Sequence, residues 1–560
     1  MEAVRGNKLL RRREGKAGVA REALLVALPL TAGAWMRLWM LKAFPQISGD
    51  TLIYGGLAKN LLQHGRFALT DGSGTLHETL IRLPGYPLFL AGCFRLFGVD
   101  NYDAVAYVQI GLELLGCLLL AGFVRRIATD EAAMATLWLA ALCPFTASYA
   151  SAPLTETATL FAIALALWAM GRFDARPGWG SALAFTFAVT FAALLRPDGA
   201  LVGVVFAPGM VVGIWGKASE RLSSGAKAPT NLLALSARLK SRPDTKPHWS
   251  SFSAARKSQA FFAAFTARLK SCPDTKRPRL TTEMNFSAAP KTPTDQPVPF
   301  AQHASVALVR MGVVCVLLAL APFAVWTARN WRVFHVIEPL APRYATDPGE
   351  AENPGWQRWV KSWCLDFVST YDIYWNVPGG PFDVSKLPQR AFDTPAQYAE
   401  TAALAAEYND NGQDFTPGMD AQFGQLAEER ARAHPLRFYL WLPLGRVADM
   451  WLRPRVENLP IDLDWWVYAH HNDETRFSWE WAGLNAVYVL LGLAGLCFRP
   501  RFWRMMAVYM VLRSALLWTI EAPEARYTLE CFPMLFALGG VAVWGGWRKL
   551  SGFWRRGQDR

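Results

Sequence analysis

The chain has 560 residues, of which 52% are hydrophobic and 13% aromatic, with 24 Trp, a combination that soluble domains rarely carry. Its net charge of +13 would suit a nucleic-acid partner, but 15 Lys/Arg against 5 Asp/Glu fall between positions 217 and 304, so the basicity belongs to one segment and not to a folded basic groove. The 8 cysteines are scattered without a CxxC pair, which argues against a zinc ribbon or a disulfide framework.

Apolar runs of about 17–25 residues, the length that crosses a bilayer, recur along the chain. They predict an all-α polytopic membrane protein with about ten transmembrane helices. The N-terminal "RRREGK" is a basic flank that belongs on the cytoplasmic side. The first run, 23–44, contains Arg37 and Lys42 and ends without a small-residue cleavage site, so it reads as a retained span rather than a signal peptide. Further spans are expected at 104–123, 132–150, 154–171, 179–195, 199–215, 304–328, 481–498, 505–520 and 527–547. With ten spans, the basic stretches "RRIATDE", "GRFDARPG", "RPRFWR" and "WRRGQDR" all fall on the side of the N-terminus. The segments 45–103 and 329–480 then face the periplasm or the exterior, and a bacterial inner or plasma membrane is the expected location. Two shorter apolar stretches, 84–98 and 438–452, are interrupted by Pro and Arg and read as helices lying in the interface.

Between the sixth and seventh spans lies a basic insert, 217–303, with an internal repeat: "ARLKSRPDTK" from Ala237 and "ARLKSCPDTK" from Ala267. Its Ser, Pro, Ala and Lys content predicts a disordered cytoplasmic loop, able to hold anionic head groups of membrane lipids. The expected divisions are thus a membrane module 1–216, the insert, a span 304–328, a non-cytoplasmic segment 329–480 and a terminal membrane region 481–560.

The chemistry concentrates on the face away from the N-terminus. Asp50, in "PQISGDTLIYGGLAKNLLQHG", starts a helix just after the first span. Ser48-Gly49-Asp50 suits an N-cap; the functional alternative is a general base tuned at the membrane edge. "LIRLPGYPLFL" brings Arg82 and Tyr86, "SAPLTETATLF" Glu156, "LLRPDGAL" Arg196 and Asp198, "PFAVWTARNW" Arg329, and "EAPEARYTL" Glu521, Glu524, Arg526 and Tyr527. Each arginine alone suits a snorkelling anchor. Four on this face run against the positive-inside trend, and together they suit an anionic ligand, because the guanidinium fork matches phosphate. In 329–480 the aromatic stretches "GWQRWVKSW", "YDIYWNV" and "DLDWWVYAHH" read either as an interfacial belt or as a sugar platform aided by Asp462 and Asp464.

The motifs "SGDTLIYGGLAKNLLQHGRF", "RLPGYPLFLAGCFRLFG" and "PLTETATLF", in that order, with "LLRPDG", "ARNW" and "EARYTL" behind them, resemble the GT-C-type membrane glycosyltransferases that use polyprenyl-phosphate sugars. This class includes the protein O-mannosyltransferases and the aminoarabinose transferases of lipid A. The resemblance implies a polyprenyl-phosphate-linked sugar as donor, a glycolipid, polysaccharide or protein as acceptor, and no nucleic acid. It places Asp50 and Glu156 at the two acidic positions and Arg82 at the donor phosphate, with help from Arg329 and Arg526. Tyr54, Tyr86, Arg196 and Tyr527 would line the substrate. Some relatives bind a divalent ion; His77-Glu78 gives no clear ligand set, so metal dependence stays open. The implied mechanism is a single inverting displacement, with a retaining route through a covalent sugar as the lesser alternative. A transporter or flippase of an anionic lipid-linked sugar is the rival class. It would favour mid-membrane charges and span repeats, whereas here the charges gather at one face. A non-catalytic assembly subunit is a third reading.

Overall fold

As far as the described residues reach, all ten apolar runs are helical, and their lengths sort them. Glu22–Ala43, Tyr102–Ile127, Thr155–Ala175, Leu308–Phe334, Asn472–Cys497 and Ala525–Ser551 are long and apolar enough to cross a membrane. The run at 132–150 is two helices, Asp130–Ala141 and Pro144–Ala150, bent by 54° at the break. Pro144 opens the second; it has no N–H to continue the first, and the residue before a proline is pushed out of helical geometry. The remaining three runs are short: Trp179–Leu195, Pro197–Val211 and Trp503–Leu517. Six helices, or seven with the bent pair, therefore meet the length criterion among the described residues.

The computed structural model describes residues 2–45, 47, 49–211, 299–467 and 471–558. Ser48 of the expected cap and both repeats of the basic insert lie outside them. The chain divides into two compact units, Met1–Ile214 with Val309–Arg560, and Trp215–Leu308. Every contact given below lies within the first.

The membrane helices pack through small residues. A Cβ on Gly495 would stand 2.1 Å from the Leu538 carbonyl oxygen, and one on Gly540 2.6 Å from that of Ala132. Only glycine permits these backbones to approach so closely, the common device where apolar burial cannot drive helix association. A buried ion pair adds direction. Arg37 donates Nε to Glu113 Oε2 at 2.6 Å and Nη2 to Oε1 at 2.8 Å. Its Nη1 reaches the carbonyls of Gly33 and Ala141, so the guanidinium also serves a carbonyl that the break at 142–143 leaves without a helical partner.

The helix Asp50–His64 ends at Gly65 in the left-handed region, φ 66°, as a helix C-terminus favours. It leads into a two-stranded antiparallel ribbon, Ala68–Thr70 with Leu76–Glu78, an addition to the all-helical expectation. Asp71 builds its turn: Oδ1 accepts from the backbone N–H of Ser73 and Thr75 at 2.8 and 2.9 Å, an Asx turn. Gly85–Phe97 has 13 residues, too short to cross a bilayer at 1.5 Å per residue; Leu442–Leu452 continues without a break from the π-helical turn Arg437–Trp441.

The segment 354–433 carries its own apolar core. Trp356, Trp359 and Trp363 are fully buried with Phe382, Tyr408, Met419, Phe423 and Leu426. These three tryptophans are therefore neither an interfacial belt nor a sugar platform; they are the packed face of a soluble helix and its continuation. Asp420 accepts from the N–H groups of Gly355 and Trp356 at 3.1 and 2.8 Å, satisfying donors that the start of Pro354–Lys361 leaves free. Tyr371, Trp375 and Trp466 remain about half exposed, so either aromatic reading still fits these three.

Candidate active site

Asp50 is the first residue of its helix, not the cap. Gly49 takes the cap position with φ 54° and no side-chain capping bond is made. The Asp50 carboxylate turns instead to two arginines: Arg82 Nη2 donates to Oδ1 at 2.9 Å and Arg526 Nη1 to Oδ2 at 3.1 Å. Burial alone would raise the Asp50 pKa; Arg526 and then Arg82 outweigh it and hold the carboxyl below its ordinary value.

Three separate pieces of chain meet here, and each is tied down. Arg82 lies in the loop before Gly85–Phe97. Leu80 N–H donates to Asp347 Oδ1 at 2.7 Å, and Gly85 packs so close that a Cβ would lie 2.6 Å from the Leu194 carbonyl oxygen. Arg526 sits in the 3-10 turn Ala525–Cys531. Arg455 holds that turn through the Ala525 carbonyl at 2.6 Å, and Thr370 reaches the Pro523 carbonyl at 3.0 Å. The hydroxyl of Thr51 reaches the Pro153 carbonyl at 3.3 Å, fastening the Asp50 helix to the start of Thr155–Ala175, where Glu156 sits.

From Asp50 an alternating chain of charges runs inward. Arg526 binds Glu524 and lies 3.8 Å from Glu156. Glu156 pairs with Arg196 at 3.1 Å. Arg196 pairs with Glu530 at 3.1 Å and Asp198 at 3.5 Å. Both of those meet Arg513, Glu530 at 3.2 Å. Five carboxylates face four guanidiniums. Burying so much charge is tolerable only because each member is paired.

The sequence-predicted residues divide accordingly. Asp50, Arg82, Glu156, Arg196 and Arg526 are brought together. Tyr54 lies under Arg82, ring centroid to guanidinium 5.9 Å, and burial pushes its phenol up to about 12. Tyr86 packs edge-on to Tyr54 at 5.0 Å but is fully buried, its hydroxyl on Gln109 at 2.6 Å. Tyr527 stacks with Arg196 at 5.3 Å and hydrogen-bonds Glu524. Arg329 is engaged elsewhere. Its guanidinium binds Glu78 at 2.6 Å and the carbonyls of Thr79 and Phe67 at 2.7 and 2.8 Å, so it clamps the ribbon and the approach to the Arg82 loop. Arg513 and Glu530 were not anticipated. Both lie inside apolar runs, and an ionisable residue in such a run was the available signal.

Among the described residues, no group of three or more His, Cys, Asp or Glu side chains could hold a metal ion. Asp50 and Glu156 are each committed to arginine, His77 bonds Asp71 at 2.8 Å, and Glu78 bonds Arg329. This donor set does not fit a divalent ion, and no step below uses one.

Residues 82–235 match the family Dolichyl-phosphate-mannose-protein mannosyltransferase. A comparison with curated proteins finds no match. Among solved structures, the oligosaccharyltransferase of Archaeoglobus fulgidus tethered to an acceptor peptide is similar at 12% identity and a TM-score of 0.40, covering 94% of this chain and 50% of that one. ArnT from Cupriavidus metallidurans bound to undecaprenyl phosphate is similar at 13% identity and a TM-score of 0.31, covering 93% of this chain and 77% of that one. The chain spans about half the length of the archaeal oligosaccharyltransferase it matches. The stretch matched, residues 82–235, includes Arg82, Glu156 and Arg196 of this site.

Proposed function

We propose that this protein transfers a sugar from a polyprenyl-phosphate donor to a hydroxyl or amine of a glycolipid, polysaccharide or protein on the non-cytoplasmic face of the membrane. One observation carries the reading: a carboxylate held between two arginines, with all three side chains partly open, at the head of a buried charge network. Arg82 and Arg526 are the phosphate-binding pair, since guanidinium forks match phosphate oxygens. Asp50 is the base.

In the reaction the acceptor oxygen or nitrogen attacks the anomeric carbon from the face opposite the lipid phosphate. The bond from that carbon to the phosphate oxygen breaks, and the lipid phosphate leaves with the electron pair. The acceptor's proton passes to Asp50. Arg82 and Arg526 offset the charge that grows on the leaving phosphate, where fixed donors act most strongly. One displacement inverts the anomeric centre. Glu156 and Glu524 orient Arg526, and Arg196 orients Glu156.

The test is reconstitution of the purified protein with polyprenyl-phosphate sugars and an extract of candidate acceptors. Acceptor-dependent release of lipid phosphate, with an inverted product, is the expected result. Sugar-lipid moved across vesicles without release would make the protein a carrier and end the enzyme reading.

A further inference from the structure

Asp50 stands on the two arginines to which the proposed function assigns the donor's phosphate. Its two oxygens occupy one N–H group on each of Arg82 and Arg526. A carboxylate bridging two guanidiniums presents the same pattern, two oxygens and one negative charge, as the free oxygens of a phosphodiester. Both anions cannot take the same donors. Arg82 has no other carboxylate partner among the described residues, only the Ile81 carbonyl at 3.2 Å. Arg526 keeps Glu524 and Glu156 behind it.

Exposure separates this mouth from the carboxylates directly behind it. The side chains of Asp50, Arg82 and Arg526 are 25%, 21% and 20% exposed, whereas Glu156 and Glu524 are 3% and 7% exposed; farther along the network Asp198 is open again at 27%. Partners can therefore be exchanged at the mouth without opening the interior.

We propose, resting on the glycosyl-transfer reading, that the donor phosphate displaces the Asp50 carboxylate from Arg82 and Arg526, and that the displaced carboxylate is the working base. The empty enzyme then carries its own anion in the phosphate site, and the donor must bind before an acceptor can be activated. The chemistry supports this order. A carboxylate shared by two cations holds a proton poorly, and the same carboxylate beside a bound phosphate holds it better. Water is not activated until a sugar is in place.

The experiment measures binding of a short-chain polyprenyl phosphate, and of the matching uncharged polyprenol, to the full-length protein in neutral detergent. Wild type is compared with Asp50→Asn and Asp50→Ala. Wild type is expected to prefer the phosphate. Both variants should bind it about tenfold tighter, because no carboxylate competes for the two charge-assisted hydrogen bonds. Steady-state assays of Asp50→Asn should show kcat and the donor KM falling together. If the variants bind the phosphate no more tightly than wild type, Asp50 is not a competitor and the inference fails. If wild type does not distinguish the phosphate from the alcohol, the donor reading itself fails. Asp50→Asn keeps a side-chain acceptor between the arginines, so the comparison stands even where Asp50→Ala does not fold.

Discussion

Two carboxylate–arginine clusters in this protein obey different rules. Arg37 and Glu113 form a closed pair: both are buried, the contact uses two hydrogen bonds, and backbone carbonyls take the remaining guanidinium donors. Asp50, Arg82 and Arg526 form an open set, partly exposed, at the end of a longer network in which negative charges outnumber positive ones. The closed pair is complete without a ligand. The open set holds its carboxylate on donors that another anion can claim. Similar distances thus serve a structural clamp in one place and, in the proposed function, a binding site in the other, and accessibility separates them.

Substitutions can break that contrast. The largest effect is expected at Asp50. Asp50→Asn should lower single-turnover transfer by roughly 10²–10⁴-fold, the usual share of general acid–base catalysis, while thermal unfolding in detergent changes little. Near wild-type turnover would remove the base assignment and pass the question to Glu156. Glu113→Ala should do the opposite. It strands a buried guanidinium, and stability should fall by about 3–5 kcal/mol, read as unfolding in detergent, with the rate per folded molecule kept. A folded, inactive Glu113→Ala protein would mean that the closed pair is not merely structural.

Arg82→Ala should weaken binding of a polyprenyl-phosphate sugar by about tenfold, the loss of one charge-assisted contact. Arg82→Lys should recover only part of that, lacking the planar fork. Equal affinities for wild type and Arg82→Ala would take Arg82 out of the site. The smallest effect on donor affinity belongs to Arg329. Arg329→Ala should expose the ribbon at 66–80 to limited proteolysis and cost about 1–3 kcal/mol as its hydrogen-bond partners are left unpaired. Donor affinity per folded molecule should change by less than about threefold, well under one charged contact. A larger loss would return Arg329 to the phosphate.

Much of this arrangement was legible in the sequence, for physical reasons. Helix positions followed from apolar runs of bilayer length, because a continuous apolar segment in lipid satisfies its backbone groups internally only as a helix. Asp50, Arg82, Glu156, Arg196 and Arg526 were found together because charge placed at one face of such a protein needs a reason. Other features were masked by local ambiguity. Aspartate before a helix suits a cap or an ion pair equally well, and only the distant Arg82 and Arg526 decide between them. Arg329 ends a span just as a ligand-binding arginine would, and its clamp on Glu78 depends on a ribbon too short to announce itself. Trp356, Trp359 and Trp363 looked like a membrane belt by composition. Their spacing of three and then four residues was the helical signal of a soluble core.

The pairing of Arg37 with Glu113 also bears on how the chain is made. The two residues are 76 positions apart, and the Ala141 carbonyl that Arg37 also uses is 104 positions away. In a chain inserted from its N-terminus as it is made, the first helix enters the bilayer before either partner exists. Its guanidinium is then an unmatched charge, at a cost of up to about 2.5–3.5 kcal/mol if it sits centrally. The apolar remainder of Glu22–Ala43 has to bear that cost alone. Placement of the first helix is therefore provisional until the helices 102–150 have followed it, and a chain interrupted before Glu113 leaves behind a membrane segment marked by its own exposed charge.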